Sequence, residues 1–310
     1  MSTSKVLGID IGGSHITAAL VDVHTKKIVP ESYVRRAVNA AAPAGEIIRE
    51  WTEVFSQSMA AARVTGVKIG IAMPGPFDYE KGISFMKGQD KYEALYGLSI
   101  KSLLAAELGM FEGNIRMMND ASCYLNGEMI AGAAFGYHRS IGITLGTGLG
   151  SAWNENGEIT DADLWHSPFK DGIAEDYLST RWFIRYFREL GGGMVRDVKH
   201  LAELTPANET AVKVFAEFGR NLGHFMAGLI QSKKPGVVVL GGNIAKAGSL
   251  FMKQAEGVLS DRSIKTPVKM AKLGEHAALY GAAGLWRKDL YAGGNQVSAG
   301  NVGAYSKTPE

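Results

Sequence analysis

The chain has 310 residues, 46% of them hydrophobic and 21% charged, enough apolar material for one large core or two smaller ones. Its net charge is only +2, with Lys and Arg spread along the chain, which argues against a dedicated surface for nucleic acid or anionic membrane. The single cysteine, Cys123, excludes an internal disulfide and a multi-cysteine zinc site, and no apolar run reaches the ~20 residues of a membrane helix.

The lead from Met1 to Lys5 is short and polar, without an apolar signal core, so the expected location is the cytoplasm. A strand from Val6 to Ile11 then runs into the turn Gly12-Gly13-Ser14, and a second strand, Ile16 to Val21, returns from it. Ile47, Ile48, Trp51, Val54, Phe55 and Met59 fall at helical spacing. Val67 to Ala72 reads as a strand stopped by Pro74-Gly75-Pro76. The apolar run from Ile115 ends in Asn119-Asp120, and a helix begins at Ala121. A further strand enters the turn Leu145-Gly146-Thr147-Gly148-Leu149-Gly150 and continues from Ser151 to Trp153.

Val212, Phe215, Phe218, Leu222, Phe225, Met226 and Leu229 form the clearest amphipathic stripe, a core face, and Gly219, Gly223 and Gly228 within it suggest close packing. Val237 to Leu240 is a short buried strand ending in Gly241-Gly242-Asn243. A last helix covers about Glu275 to Leu290. The Gly/Ser/Asn-rich residues 292–310 have little to bury and are expected to form a disordered tail.

The chain repeats itself. Gly8-Ile9-Asp10-Ile11-Gly12 matches Gly142-Ile143-Thr144-Leu145-Gly146 at an offset of 134 (142 − 8), and both copies read strand, Gly-rich turn, strand. Five residues is a short match, but its shared context points to a duplicated α/β fold. The expected division is a small lobe, residues 1–118, and a large lobe, residues 119–291, with the helix near 275–291 crossing back onto the small lobe.

The strand ends carry the chemistry. Glycine turns let backbone N–H groups close around phosphate. Asp10 cannot approach phosphate without a cation between them, so it reads as a Mg²⁺ partner acting through water; the plain alternative is a hairpin Asp that satisfies local amides. Gly12, Gly13 and Ser14 form one candidate cradle, and Gly146, Thr147 and Gly148 a second. Gly241 and Gly242 leave room for a base or ribose, or simply make a strand-to-helix turn. Asp120 is placed to accept the proton of a hydroxyl, with Asn119 beside it to bind neighbouring hydroxyls; Asp120 as a plain helix cap explains the same pattern. Asp163-Leu164-Trp165-His166 and Glu175 form a polar constellation suited to polyols, although spacing alone does not select His166.

The ordered set Asp-x-Gly-Gly-Ser, Pro-Gly-Pro, Asn-Asp-Ala, Leu-Gly-Thr-Gly-x-Gly and Leu-Gly-Gly-Asn resembles the ROK family of bacterial sugar kinases and repressors, over nearly the whole chain. The resemblance implies a two-lobed actin-like, hexokinase-like fold of duplicated mixed sheets (the ribonuclease H-like arrangement) that closes on ATP and a hexose. It implies Asp120 as general base and Asn119 as a sugar ligand, with Gly75 at the sugar side. Asp163 stands where the family's Glu-x-Gly-His has its Glu, His166 matches the His, and Glu175 resembles a later sugar-binding Glu. Many members carry a zinc loop after that His; here Pro168 to Glu175 has no cysteine, so no zinc site is expected. A homodimer or homotetramer is implied, and the repressor branch's N-terminal DNA-binding domain is not expected. The function so implied is ATP- and Mg²⁺-dependent phosphorylation of a hexose, most simply at O6 of glucose. Kinases for N-acetylhexosamine, fructose, mannose or allose, and a non-catalytic sugar sensor, stay open, the choice among sugars resting on residues around Gln89, Asp163 and Glu175.

Overall fold

Val6, Leu7, Ile9 and Ile11 are all fully buried, so both faces of their strand are covered and it belongs at the centre of a sheet rather than at an edge. The computed structural model describes residues 4–88 and 91–294. In it β1 (Lys5–Ile11) pairs antiparallel with β2 (His15–Asp22) across the Gly12–Ser14 turn. Short β3 (Lys27–Ile28) and β4 (Val34–Ala37) both lie along β2. Helix α1 (Ala44–Ala61) buries Ile47, Ile48, Trp51, Val54 and Phe55, the stripe expected from spacing. The chain then adds β5 (Lys68–Met73), a two-residue hairpin of β6 (Phe77–Asp78) and β7 (Ile83–Ser84), helix α2 (Ile100–Glu107), and β8 (Ile115–Asn119). β5 lies parallel to β1, and β8 parallel to β5, giving the order β3-β2-β1-β5-β8.

Helix α3 (Asp120–Ala131) leads to a second sheet built to the same plan. β9 (Arg139–Leu145), β10 (Leu149–Glu155) and β11 (Glu158–Asp161) form an antiparallel meander. A small hairpin, β12 (Pro168–Phe169) and β13 (Gly172–Ile173), precedes helices α4 (Ala174–Tyr177), α5 (Thr180–Glu189), α6 (Val198–Leu204) and α7 (Glu209–Lys233). β14 (Val237–Gly241) then inserts parallel to β9, and after helix α8 (Met252–Asp261) β15 (Val268–Met270) pairs parallel with β14. The order β11-β10-β9-β14-β15 matches β3-β2-β1-β5-β8 strand for strand, so the short internal repeat marks a duplicated sheet. Each sheet has its own core, one around Trp51 and Phe55, the other around Phe183, Phe215 and Phe218.

Helix α9 (Ala277–Gly284) joins the two halves, packing on β1 and β5 on one side and on α3 on the other. It sits too close for side chains between. A Cβ at Gly70 of β5 would lie 1.9 Å from the Ala282 carbonyl oxygen, and one at Gly281 of α9 would lie 1.7 Å from that of Cys123. Buried Glu128 of α3 strengthens the joint by accepting the N–H groups of Lys272 (3.1 Å) and Leu273 (2.8 Å), just ahead of α9.

Three expectations need correction. The last helix is broken: a 3₁₀ turn at Gly274–His276 precedes α9, and α10 (Arg287–Gly294) follows a gap at Leu285-Trp286. The cause is tertiary: Arg116 of β8 donates to the Leu285 carbonyl at 2.7 Å, and the Trp286 indole N–H donates to the Ile69 carbonyl of β5 at 2.8 Å. Helix α10 also runs through residues 292–294 of the expected tail, while residues 295–310, like Gln89, lie outside the described residues. Gly219 and Gly223 do meet α8 and the residue before it closely, but Gly228 faces open space. No helix among the described residues is long and apolar enough to cross a membrane.

These contacts predict opposite outcomes for one chemical change. Gly228→Ala removes backbone entropy from an exposed helical position and should raise stability by ~0.5–1 kcal/mol. Gly281→Ala drives a methyl into the α3 backbone and should lower stability by ~2 kcal/mol or more. Denaturant unfolding of the two variants checks the pair, and equal effects would contradict the packing described.

Candidate active site

The charge of Asp120, just past β8, reaches Asp10 near the end of β1 and Asp161 at the end of β11, so strand ends of both sheets border one cleft. Asp10, near the end of β1, is half-buried, and its carboxyl is pushed up to about 7 by burial first and by the Asp120 charge second, with Arg35 opposing. In the turn beyond it, the Gly12 N–H donates to the His15 carbonyl at 2.9 Å, and the Gly12 carbonyl accepts the Tyr92 hydroxyl at 2.6 Å. Gly12 is therefore not an N–H donor to a ligand; its role is to make the turn. The N–H groups of Gly13 and Ser14 are unengaged by protein among the described residues. The Ser14 hydroxyl rests on His15 Nδ1 at 3.0 Å, exposed.

Asn119 and Asp120 divide their work differently from the capping alternative. Asn119 is the cap: its Oδ1 accepts the Ser122 N–H at 3.1 Å. Asp120 follows as the first residue of α3. One carboxylate oxygen accepts the Ala121 N–H at 2.8 Å, and apart from its own N–H no further described residue donates to the carboxylate. Asp120 is open to water at the cleft yet enclosed by protein at longer range, and this enclosure raises its pKa, with the Ala121 N–H and Lys91 opposing.

The Asn119 carboxamide is fixed at both ends. Its Nδ2 donates to the Tyr79 hydroxyl at 3.3 Å, and that hydroxyl donates to the Met73 carbonyl at 3.0 Å. One N–H of Asn119 remains to meet a ligand. Gly75 lies under this arrangement: a Cβ there would come within 3.1 Å of the Tyr79 hydroxyl, so Gly75 shapes the site by leaving room for Tyr79.

The second turn repeats the first. The Gly146 N–H is spent on the Gly148 carbonyl (3.0 Å), and the Gly146 carbonyl accepts both the N–H (2.8 Å) and the hydroxyl (3.0 Å) of Thr180. As at Gly12, the glycine's own N–H is used within the turn; among the described residues the N–H groups of Thr147 and Gly148 and the exposed Thr147 hydroxyl stay unengaged. Glu175 stands against this turn. It accepts the Leu149 N–H at 2.9 Å, pairs with Arg181, and lies 2.6 Å from where a Gly148 Cβ would be. The carboxyl is thus committed to the turn in this conformation rather than turned to the polyol side.

Asp163 and His166 pair with each other, Oδ1 to Nδ1 at 3.4 Å, and both are exposed at the cleft's edge. Asp161, at the end of β11, accepts the Asp163 N–H at 2.8 Å; burial and then the Asp163 and Asp120 charges raise its pKa. Asp161 is thus the residue of this segment that feels the Asp120 charge.

Beyond β14 lies a cavity of about 580 Å³, lined by Tyr124, Gly241, Gly242, Met252, Met270 and Glu275 among others. Gly242 has φ +84°, and a Cβ there would lie 2.4 Å from the Leu145 carbonyl oxygen, so it brings this cavity's wall against the second turn. Its size and apolar floor suit a nucleoside. At the cavity's edge Glu275 accepts Lys246 (2.9 Å) and Arg35 of β4 (3.0 Å), an exposed network that reaches from one half of the molecule to the other. Among the described residues no three His, Cys, Asp or Glu side chains are grouped to hold a metal. Asp10 fits the demand of a nucleotide-bound Mg²⁺, which takes one or two protein carboxylates and keeps several waters, because a cation would relieve the crowding that raises its pKa.

Sequence reading missed Tyr79, Asp161 and Lys91. Asp161 lay two residues from the selected Asp163 and shares its polarity; neither Tyr79 nor Lys91 had a local signal.

A family model described as the ROK family matches residues 6–162 and 170–289. The match omits 163–169, the stretch that holds Asp163 and His166. A glucokinase of Thermotoga maritima is 23% identical over 328 residues, spanning 94% of this chain and 99% of its own. An N-acetyl-D-glucosamine kinase of Mannheimia succiniciproducens is 24% identical over 309 residues, spanning 90% and 98%. Among solved structures, a ROK family glucokinase from Streptomyces griseus, in complex with glucose and AMPPNP, aligns with a TM-score of 0.72 at 24% identity, covering 92% of this chain and 99% of that one. The fold is therefore the two-lobed, actin-like and hexokinase-like one.

The Asp10 carboxyl makes a pH-dependent prediction. Its pKa is raised from an ordinary 3.8 to about 7, so its favourable contribution is full below pH 3.8 and is lost as pH rises through 7. Asp10→Asn mimics the protonated form. Without nucleotide it should change stability little at pH 4 and raise it by ~1–3 kcal/mol at pH 8, water in the cleft trimming the larger value that the shift alone implies. Denaturant titrations at the two pH values check this; an equal difference at both would contradict it.

Proposed function

The chain belongs to the ROK family, and from that premise we propose that it is an ATP-dependent sugar kinase transferring the γ-phosphoryl group to a hexose hydroxyl, O6 of glucose or a close relative. The observation that carries the reading is Asp120. Its uncommitted carboxylate oxygen opens into a cleft flanked by two turns with free N–H groups, beside a nucleoside-sized cavity.

The chemistry follows from these positions. A sugar hydroxyl is a weak nucleophile until its proton has an acceptor; Asp120 takes that proton as the oxygen bonds to the γ-phosphorus and the bond to the β–γ bridging oxygen breaks. The enclosure that raises the Asp120 pKa makes it a stronger base than an ordinary Asp. Asn119, fixed by Tyr79 and Ser122, donates its remaining N–H to a second sugar hydroxyl and so orients the ring. Asp161, Asp163 and His166 hold further hydroxyls. The N–H groups of Gly13, Ser14, Thr147 and Gly148 bind phosphate oxygens, and the Gly241-Gly242 cavity takes the adenosine. Asp10 would hold the Mg²⁺ that accompanies the nucleotide, and the ion would supply charge neutralisation there. Glu175 reaches the sugar only if closure releases it from Leu149.

A kinase for an N-acetylhexosamine is the second reading, favoured by the N-acetyl-D-glucosamine kinases among the relatives. ADP release with Mg²⁺-ATP, measured against hexoses and N-acetylhexosamines, separates the two; no turnover with any of them would remove the kinase assignment.

Two variants test the roles. Asp120→Asn should lower kcat ~10²–10⁴-fold with nucleotide affinity kept, and a near-normal rate would refute the base. Tyr79→Phe removes the acceptor that holds Asn119, so the sugar KM should rise ~2–10-fold while kcat and the ATP KM stay within error. An unchanged sugar KM would show that Tyr79 does not position Asn119.

A further inference from the structure

We propose that Lys91 is a catalytic residue whose ammonium contacts the phosphoryl group in transfer, between the first glycine turn and the Asp120 carboxylate. The proposal rests on the kinase reading above and assigns a group that no motif marked.

The backbone that carries Lys91 is bolted to the turn it serves. The next residue, Tyr92, is fully buried. Its hydroxyl donates to the Gly12 carbonyl at 2.6 Å, and its N–H donates to the Ala40 carbonyl at 2.7 Å. Its ring packs edge-on against Trp51 with centroids 5.2 Å apart. Three contacts therefore hold the residue beside Lys91 against the first turn and the small-lobe core.

From that anchor the Lys91 stem crosses Gly13. Its Cδ lies 3.6 Å from where a Gly13 Cβ would be, so the side chain covers the turn whose N–H groups are unengaged. The charge is felt at Asp120, where it opposes the effect of burial. Lys91 is half-buried, yet among the described residues it has neither an ion pair nor a hydrogen-bond partner. Its stem is spent on covering Gly13, so its charge is left to meet an anion. The unengaged N–H groups of Gly13 and Ser14 beside the stem, and Asp120 within range of its charge, mark where such an anion would bind.

A phosphoryl group in transfer suits that place. Its charge is spread over three equatorial oxygens, and a fixed cation there stabilises the transition state more than the ground state. Lys91 neither gains nor loses a proton in the step. The hydroxyl proton passes to Asp120, the new oxygen–phosphorus bond forms, and ADP leaves with the electrons of the broken one. Beside Asp120 a cation also keeps the base ionised, so one side chain serves both reacting ends.

The test is steady-state kinetics with saturating sugar and Mg²⁺-ATP, on the intact chain, for Lys91→Met and Lys91→Arg. Met keeps the length of the stem and removes the charge. The expected result is a ~10²–10³-fold loss of kcat for Lys91→Met, with AMPPNP affinity by calorimetry changed less than about threefold, and partial recovery for Lys91→Arg. A wild-type kcat in Lys91→Met overturns the proposal, as does a rise in the AMPPNP Kd with kcat retained, which would make Lys91 a ground-state ligand. Wild-type protein that turns over no sugar fails the kinase reading and this assignment with it, whereas an active wild type matched by Lys91→Met fails this assignment alone.

Discussion

Everything at the cleft depends on how closely helix α9 lies against both halves of the molecule. Gly70 and Gly281 bring backbone onto backbone, so no side-chain rotamer separates the two sheets at this joint. Glu128 adds a buried carboxylate that accepts N–H groups just ahead of α9. Helix α3, held by this joint, begins with Asp120, and β1, on the other side of α9, ends near Asp10. Two carboxylates from distant parts of the chain therefore face each other because of contacts made well below them. Interiors packed this tightly do not deform gradually.

The cleft is electrostatically unfinished. Asp10, Asp120 and Asp161 all have raised pKa values, burial being the first cause of each, and at Asp10 and Asp161 the Asp120 charge adds to it. Arg35 and Lys91 oppose this only in part. Such crowding lowers stability in the free protein and would be relieved by the proposed metal–nucleotide complex, which would bring a cation to the carboxylates and phosphates to the cations and free N–H groups. The Arg35–Glu275–Lys246 network crosses the same gap but is exposed throughout, so its contribution to holding the halves together is small.

Much of this was legible in the sequence, and the reason is local. Strand ends, glycine turns and Asn119-Asp120 depend on neighbours within a few residues, and the short repeat around Gly8 and Gly142 disclosed the duplicated sheet. Features that depend on distant partners were not legible. Tyr79 matters because its hydroxyl meets Asn119, and Lys91 because Tyr92 reaches back to Gly12. The break at Leu285 is made by Arg116, far away in the chain. Gly12 and Gly146 were recognised as turn residues, but that their own N–H groups are consumed within the turns is visible only in three dimensions. Glu175 had the polarity of a sugar ligand, and only the fold reveals that it reaches the Leu149 N–H instead.

The central claim is that one oxygen of Asp120 meets the alcohol that attacks phosphorus. A crystal structure of the chain with glucose and AMPPNP measures this directly. The account predicts a sugar hydroxyl ~2.6–3.2 Å from the Asp120 carboxylate and in line with the γ-phosphorus. A ternary complex in which that carboxylate is turned out of the cleft, or in which another group stands between it and the sugar, would contradict it.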